Sequence, residues 1–519
     1  MNLDGREGGT ALNQDQSFQK MMEMYSREAA RMHQRSRNHP VGMEYSKIPA
    51  PEPIPVPPPC EEPVGRGKAI DGEVPQNCEK YEKTDFSQTV GADGPILLQD
   101  TMLHETLETF VHSKELERVV HTKGYGAFGS FQLYQSMREY TKACFLQTPS
   151  EKTPVFTRFS LAVSNRGTPD TSRNVRGFAT RFYTKEGNFD LVGNHIPVFF
   201  MQDAIRFPDI IAALSPSPVN NLAAPGKFWE FVAKTPETVN MLTWLYSDAG
   251  TVKSFRYMRG FGVNTFVWVN AEGRRRYVKY HWIPLAGEEY LNREEAARFA
   301  CSNPDISGED LYNTLEKGTP AEYELCVQLM DPADAEKLSF DPLDDTKIWN
   351  EIVYPLLRVG KLTLDRNPDN YREQVERAAF SPANLVEGIE LSADRMLQGR
   401  SFIYWDAQRR RLGPGFRNLE PNRSRDGFSL DRMVTSGEGV RLKGNAVRSA
   451  LSKTDDFTQA GDRYRSLPED WQARLVDNIA SELYMSSASV RDCVVGYLTK
   501  ADEAFGAALE KRIDEYIHP

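Results

Sequence analysis

The spacing of hydrophobic positions changes along the chain. Over residues 17 to 37, Phe18, Met21, Met22, Tyr25, Ala29 and Met32 recur at helical spacing, with Lys20, Glu23, Arg27, Glu28 and Arg31 between them. This predicts a short amphipathic helix that docks on its own domain or on a neighbouring subunit. The tract IPAPEPIPVPPP follows at 48 to 59. Its prolines exclude helix and central strand and predict an extended arm. Residues 1 to 95 therefore read as an N-terminal extension and arm.

From about residue 115 the period falls to two. Residues 176 to 192 alternate around a Gly187-Asn188 turn, residues 262 to 281 around Asn270-Ala271-Glu272-Gly273, and residues 323 to 330 add another strand. Hairpins without interleaved helices predict an antiparallel barrel or sandwich over residues 96 to 340. Residues 341 to 450 are rich in Pro, Asn and Arg and show little periodicity. So long a segment is expected to wrap another element. From 451 to 519 helical spacing returns. Trp471, Leu475, Ile479 and Leu483 form a stripe, Ser466 and Glu469 have capping-box spacing, and further helices are expected at about 488–498 and 502–517.

Composition narrows the function classes. The 519 residues are 40% hydrophobic, enough for one large core or two domains. Acidic residues outnumber basic ones by 73 to 63, for a net charge of -10, and no Lys/Arg block forms a phosphate-binding stripe. This argues against nucleic acid as a partner. Cys60, Cys78, Cys144, Cys301, Cys326 and Cys493 include no CxxC pair, which leaves a reducing compartment as the simpler reading. The polar start of the chain has no signal-like apolar region, and no stretch reaches the roughly 18 apolar residues of a membrane span. Ile517-His518-Pro519 does not match a Ser-Lys-Leu peroxisomal address, so a cytoplasmic location is expected.

Residues 124 to 129 (GYGAFG) match GxGxxG. A dinucleotide loop needs a strand before it, a helix after it and a βαβ unit around it, whereas residues 130 to 134 start as strand as easily as helix and the later chain reads as antiparallel sheet. Close backbone packing where loop becomes strand is the better reading. Two other segments hold candidate chemistry. Arg400 and Tyr404 are four apart, so a helix places them on one face, where a guanidinium favours a phenolate. Tyrosinate is a known ligand of ferric haem. By spacing alone the pair reads more simply as an aromatic core position beside a surface arginine. His121, likewise, is by itself a satisfied hydrogen-bonding residue or an acid/base group.

The stretches RVVHTKGYGAFG, TRFS, RGFATRFYTKEGNFDLVGNHIPVFF, QDAIRFPD and QGRSFIYWDAQRRRLG occur in one order between about residues 95 and 515. Together they resemble the haem catalase family, of the small-subunit type. The resemblance implies an α+β catalase fold: an N-terminal arm, an antiparallel β-barrel, a wrapping segment and a C-terminal helical domain. It implies haem b with iron bound by Tyr404 and Arg400 beside the phenolate. It assigns His121 as the acid/base residue, Ser160 as its orienting partner and Asn194 as a donor to bound oxygen. Arg118, Arg158 and Arg411 would pair with the haem propionates, and Val120, Phe199 and Phe207 would line the pocket. A homodimer or homotetramer with a small-molecule substrate is implied.

The chain departs from the family pattern at two channel positions. Ala162 stands where a valine is usual and Asn174 where an aspartate is usual. The changes remove two methyl groups and a charge from a confined passage. They point to a catalase-like oxidase of a small organic substrate, using peroxide or superoxide, as in ergot-alkaloid biosynthesis; the alternative is an ordinary catalase dismutating hydrogen peroxide. Ile403, Trp405 and Ala407 also differ from the usual residues around the proximal tyrosine. An NADPH site is only partly matched: Ser247 and Lys279 fit, Asn240, Trp244 and Ala249 do not, and Lys253 and Arg259 are nearby substitutes.

Overall fold

The structure is a computed structural model that describes residues 86–93, 95–112, 116–424, 448 and 455–519. The helix expected over 17 to 37, the proline tract, Cys60 and Cys78 lie outside the described residues. The chain divides into Met1–Asp100 and Thr101–Pro519. In the first unit the described part is extended, with Thr89 bridged to Ile96 and Asp100 Oδ2 accepting from Gln88 N at 2.8 Å.

The second unit is built on ten strands: β1 (Gly124–Leu133), β2 (Lys152–Leu161), β3 (Arg176–Thr184), β4 (Gly187–Asn194), β5 (Gly260–Phe261), β6 (Phe266–Val269), β7 (Arg275–Pro284), β8 (Ala321–Met330), β9 (Leu357–Arg366) and β10 (Ile389–Leu391). Every pairing is antiparallel. The order β7-β5-β4-β3-β2-β1-β9-β8 closes through a β7–β8 pairing, which makes a barrel of eight strands. Closure removes the exposed edges an open sheet would present. The interior is aromatic: Phe131, Phe159, Phe178, Phe182, Trp282 and Tyr323 are all buried in one cluster.

Helix α1 (Thr101–His112) precedes the barrel and has no buried residue. Helices α2 (Phe207–Leu214), α3 (Pro225–Ala233) and α4 (Val239–Leu245) follow β4, and α5 (Arg293–Ser302) and α6 (Ile306–Glu316) link β7 to β8. Helix α7 (Arg395–Leu412) ends the segment after the barrel. Helices α8 (Thr458–Ser466), α9 (Glu469–Leu483), α10 (Ala488–Ala501) and α11 (Glu503–Ile517) close the chain. Leu475, Ile479 and Leu483 of the expected stripe are buried there with Leu498 and Leu509. No helix among the described residues is long and apolar enough to cross a membrane.

Several local expectations shift. Gly187 and Asn188 are the first residues of β4, and the turn is Lys185-Glu186. Thr184 Oγ1 closes it, donating to Gly187 O at 2.6 Å and accepting from Glu186 N at 3.1 Å. The Asn270–Gly273 turn stands as expected, with Gly273 at φ +78°. Ser466 and Glu469 form no capping box: Ser466 ends α8 and donates to Arg463 O, while Pro468 caps α9. The sheet also runs past residue 340, because β9 pairs with both β1 and β8. Residues 371 to 422 do wrap the barrel. The buried Arg181–Asp190 pair fastens them: Arg181 donates to Ala379 O, Pro421 O and Asn422 Oδ1, and Asp190 accepts from Ser381 N.

The GxGxxG motif is strand, not a nucleotide loop. Its glycines allow close approach: a Cβ on Gly129 would stand 1.9 Å from Thr363 O of β9. Gly129→Ala should therefore separate β1 from β9 and cost about 2 kcal/mol or more. Equilibrium denaturation checks this, and an unchanged midpoint would contradict the packing described.

Candidate functional site

The period-two alternation of the strands sorts chemistry from core. Val155, Phe159, Phe178, Phe182 and Leu191 point into the barrel. The intervening positions form rows on its outside. One row is Gly124, Ser160, Gly177 and Asn194; the next is Gly126, Arg158, Ala179 and Val192. Glycine and alanine keep this face low, and a cavity of about 550 Å³ lies over it. Helix α7 contributes another wall with Arg400, Tyr404, Gln408 and Arg411, which share a helical face. Phe199 and Phe207 line the same cavity with their rings stacked at 6.5 Å, and Val120 and Asn194 line it too.

His121 is held in a conformation few side chains adopt, with φ +64°. Its N–H donates to Ala162 O at 2.7 Å, and its carbonyl accepts from Arg158 Nη1 at 2.9 Å. Its Nδ1 lies 2.9 Å from Ser160 Oγ. Gly177 makes room, since a Cβ there would be 2.5 Å from Ser160 Oγ and 2.7 Å from His121 Nδ1. Burial, reinforced by Arg158, Arg400 and Arg118, pushes the imidazole down to about 3. His121 is thus a neutral base over a wide pH range.

Three buried guanidinia converge at another part of the cavity. Arg118 pairs with Glu376 at 3.0 Å and donates to the carbonyls of Val375, Glu376 and Ala378. Arg411 donates to Glu376 O at 2.6 Å and Ala378 O at 3.0 Å. Arg158 donates to His121 O and Thr122 O, and its Nε is buried with no partner. Burial lowers Arg118 and pushes Arg158 down to about 9. Burial of this kind signals an anionic ligand that restores the charge balance. The residues present therefore fit haem: a low face for a planar group, cations for two carboxylates and a tyrosine on the facing helix.

The register of α7 is set by Asp394, which caps the helix by accepting from Leu397 N at 2.9 Å. Arg400 Nη2 donates to Tyr404 Oη at 3.1 Å and to Val192 O at 2.8 Å. Arg400 Nη1 donates to Asn264 Oδ1 at 2.6 Å. Asn264 Nδ2 in turn donates to Asp394 Oδ2 at 2.8 Å. Sequence reasoning singled out Arg400 and Tyr404 and missed Asn264, Asp394, Glu376 and Asp345. A cap signal was available for Asp394, directly before a helical run. Glu376 comes from a π-helical turn, Tyr371–Glu376, which has no simple sequence signature.

The two divergent channel positions meet just beyond His121, where Ala162 N donates to Val175 O at 2.8 Å. Asn174 uses its carboxamide as a clamp: Oδ1 accepts from Val163 N at 3.2 Å and Nδ2 donates to Val163 O at 2.6 Å. An aspartate carboxylate could not make the second bond.

The structure brings some of the candidate NADPH residues together and not others: Trp244, Arg259 and Lys279 line one cavity, which Asn240, Ser247, Ala249 and Lys253 do not line. Ser247 is fully buried and donates to Trp244 O, and Asn240 is tied to Thr346 O. Lys253 pairs with Glu289 and Arg259 with Glu351. Arg463 covers the Trp244 ring at 3.9 Å. A cavity of about 280 Å³ remains beside Trp244, Lys279 and His281.

A closed antiparallel barrel thus carries a histidine over its outer face and an arginine-backed tyrosine on a helix lining the same cavity, a class of enclosed ligand pocket. Residues 75–447 match the family model described as Catalase, and residues 450–513 match Catalase-related immune-responsive. The chain is 48% identical to Catalase-2 of Bacillus subtilis over 349 residues, 66% of this chain and 51% of that protein. It thus spans about half the length of that relative. It is 40% identical to Catalase-A of Dictyostelium discoideum over 465 residues, covering 82% of this chain and 92% of the relative. The structure of catalase A from Saccharomyces cerevisiae superposes with a TM-score of 0.79 at 32% identity, covering 83% of this chain and 97% of that one. The chain belongs to the catalase family.

The imidazoles of His121, His195 and His281 are all pushed down to about 3, chiefly by loss of hydration. Unfolded, each takes up a proton near its ordinary value of about 6.5. Their stabilising contribution is thus complete above that value and is lost as pH falls from there toward 3. The slope approaches about 1.4 kcal/mol per pH unit for each histidine. Denaturation midpoints measured from pH 7 to 4 should fall steadily; a flat profile would contradict the neutral assignment.

Proposed function

We propose that the protein is a haem-dependent oxidoreductase that dismutates hydrogen peroxide to water and oxygen. The observation that carries this is the facing pair of sites in one cavity, His121 with Ser160 on the barrel and Tyr404 with Arg400 on α7. Haem b would be held by Tyr404 at its iron and by Arg118, Arg158 and Arg411 at its propionates, with Val120, Phe199 and Phe207 against the ring. Once bound, it supplies the redox-active iron. Forked guanidinia match carboxylates in geometry and charge. Their number fits the charge imbalance of the pocket.

The chain's own work is proton movement. With Nδ1–H directed to Ser160 Oγ, the lone pair of His121 Nε2 faces the cavity. It takes the proton from one peroxide oxygen and returns it to the other, which is general base then general acid catalysis. Asn194 donates to the oxygen it leaves. Burial keeps His121 neutral before substrate arrives. A homodimer or homotetramer belongs to the same reading. Support comes from α1, which has no buried residue and exposes Leu107, Phe110 and Val111.

A second reading has a specific observation in its favour. Asn174 spends its carboxamide on Val163, at a position where an aspartate would bring a negative charge close to the small Ala162. This suits oxidation of a small organic molecule by peroxide or superoxide, as in the catalase-like chanoclavine synthase of ergot-alkaloid pathways.

Oxygen evolution from peroxide by the purified haem-loaded protein separates the readings. The first predicts brisk release, lowered about 10²–10⁴-fold by His121→Ala with haem content unchanged. Feeble release from the wild-type protein would overturn it. Under the second reading, Ala162→Val narrows the approach, so organic turnover should fall several-fold while oxygen release holds or rises. Equal organic turnover by both proteins would contradict that reading.

A further inference from the structure

The large cavity is lined by a buried acid, Asp345, to which the mechanism above gives no role. Asp345 sits in the connection between β8 and β9, with its carbonyl fixed by Phe199 N at 2.9 Å. Its carboxyl group lines the large cavity although the residue is only 1% exposed. Oδ1 has no hydrogen-bond partner, and Oδ2 accepts from Asn264 Nδ2 at 3.4 Å. Lys279, the nearest candidate counter-ion, gives its bonds to Val263 O and Lys347 O. Burying a carboxyl group in this way is costly, and an apolar side chain of similar size would be cheaper. Burial first, then Asp394 and Asp344, hold Asp345 well above the usual carboxylate range. Oδ2 is thus the oxygen it offers to Asn264.

The geometry of Asn264 explains what such a group does. A carboxamide has two N–H donors and one carbonyl, and it can flip. Asp394 takes one donor at 2.8 Å, and Asp345 is the acceptor facing the other. With both donors engaged, Oδ1 is committed to Arg400, at 2.6 Å. The flipped amide would set N–H against guanidinium and oxygen against two carboxyl groups. Val263, next in the chain, is held at φ +65°, so the backbone carrying Asn264 is itself constrained.

We propose that Asp345 is a positioning residue of the tyrosine side of the pocket: with Asp394 it engages both N–H groups of Asn264, which fixes Asn264 Oδ1 on Arg400 and the guanidinium on the Tyr404 oxygen. The inference rests on Tyr404 being the haem ligand. Asp345 acts through Asn264 and need not touch the cofactor itself. A neutral amide in its place keeps an acceptor for Asn264, whereas an alkyl group does not.

The test is resonance Raman of the tyrosinate–iron signature in purified holoenzyme, with haem content measured alongside. Asp345→Asn should keep the wild-type band and haem content. Asp345→Leu should shift the band and lower haem retention several-fold. Asn264→Ala should give the same shift, and adding Asp345→Leu to it should give no further one, because the two residues act in series. That background also decides the matter should Asp345→Leu alone fold poorly. A wild-type band in the Leu variant, or shifts that add in the double variant, would overturn the proposal while leaving Tyr404 as ligand. A wild-type enzyme with no tyrosinate signature would instead remove the Tyr404 reading, and this inference with it.

Discussion

Arg158 and Arg411 are buried and Arg118 nearly so at the outer face of a barrel, with Glu376 as the carboxylate at hand. Charges in such a setting are stable only when opposing charge or dense hydrogen bonding offsets their lost hydration. Backbone carbonyls of Val375, Glu376 and Ala378 supply part of that, which is why the wrapping segment must pass close by. The proposed cofactor would supply the rest through its two carboxylates. The small residues on the strands beneath, the wrapping segment and the helix carrying Tyr404 all serve to build a place where a planar dianion fits.

Two simple periods create that place. Alternation along β2, β3 and β4 sends aromatic residues inward and leaves Arg158, Ser160, Gly177 and Asn194 outside in aligned rows. Helical spacing along α7 sets Arg400, Tyr404, Gln408 and Arg411 along one face. The Asp394 cap fixes where that face begins, so one carboxylate positions the helix and, through Asn264, the arginine that backs the tyrosine. A one-residue slip in either element would turn these groups away from the cavity.

Much of this was legible in the sequence, for identifiable reasons. The barrel hairpins and the C-terminal helices announce themselves by period, and Gly124, Gly126 and Gly129 read correctly as close-packing strand residues. The resemblance named the cavity-lining residues, and the structure brings His121, Ser160, Asn194, Arg118, Arg158, Arg400, Tyr404 and Arg411 around one cavity. What was not legible depends on contacts between distant segments. Asn264 and Asp345 gain meaning only when β6 and the segment after β8 close on α7. Asn174 reads in sequence as a lost channel charge, and the clamp its carboxamide makes on Val163 is a further contact that sequence does not show. Among the candidate NADPH residues, the ion pairs of Lys253 and Arg259 and the burial of Ser247 are likewise contacts that sequence does not show.

The charge argument makes the proposed cofactor testable apart from any activity. Apoprotein can be titrated with haem and with its dimethyl ester, which keeps the ring and iron but has no propionate charge. Charge-assisted hydrogen bonds contribute about 1.5–3 kcal/mol each. If Arg118, Arg158 and Arg411 hold the propionates, the ester should bind about 10²-fold more weakly or worse. Equal affinity for the two would contradict the assignment of these arginines and, with it, the account of why this face of the barrel is built as it is.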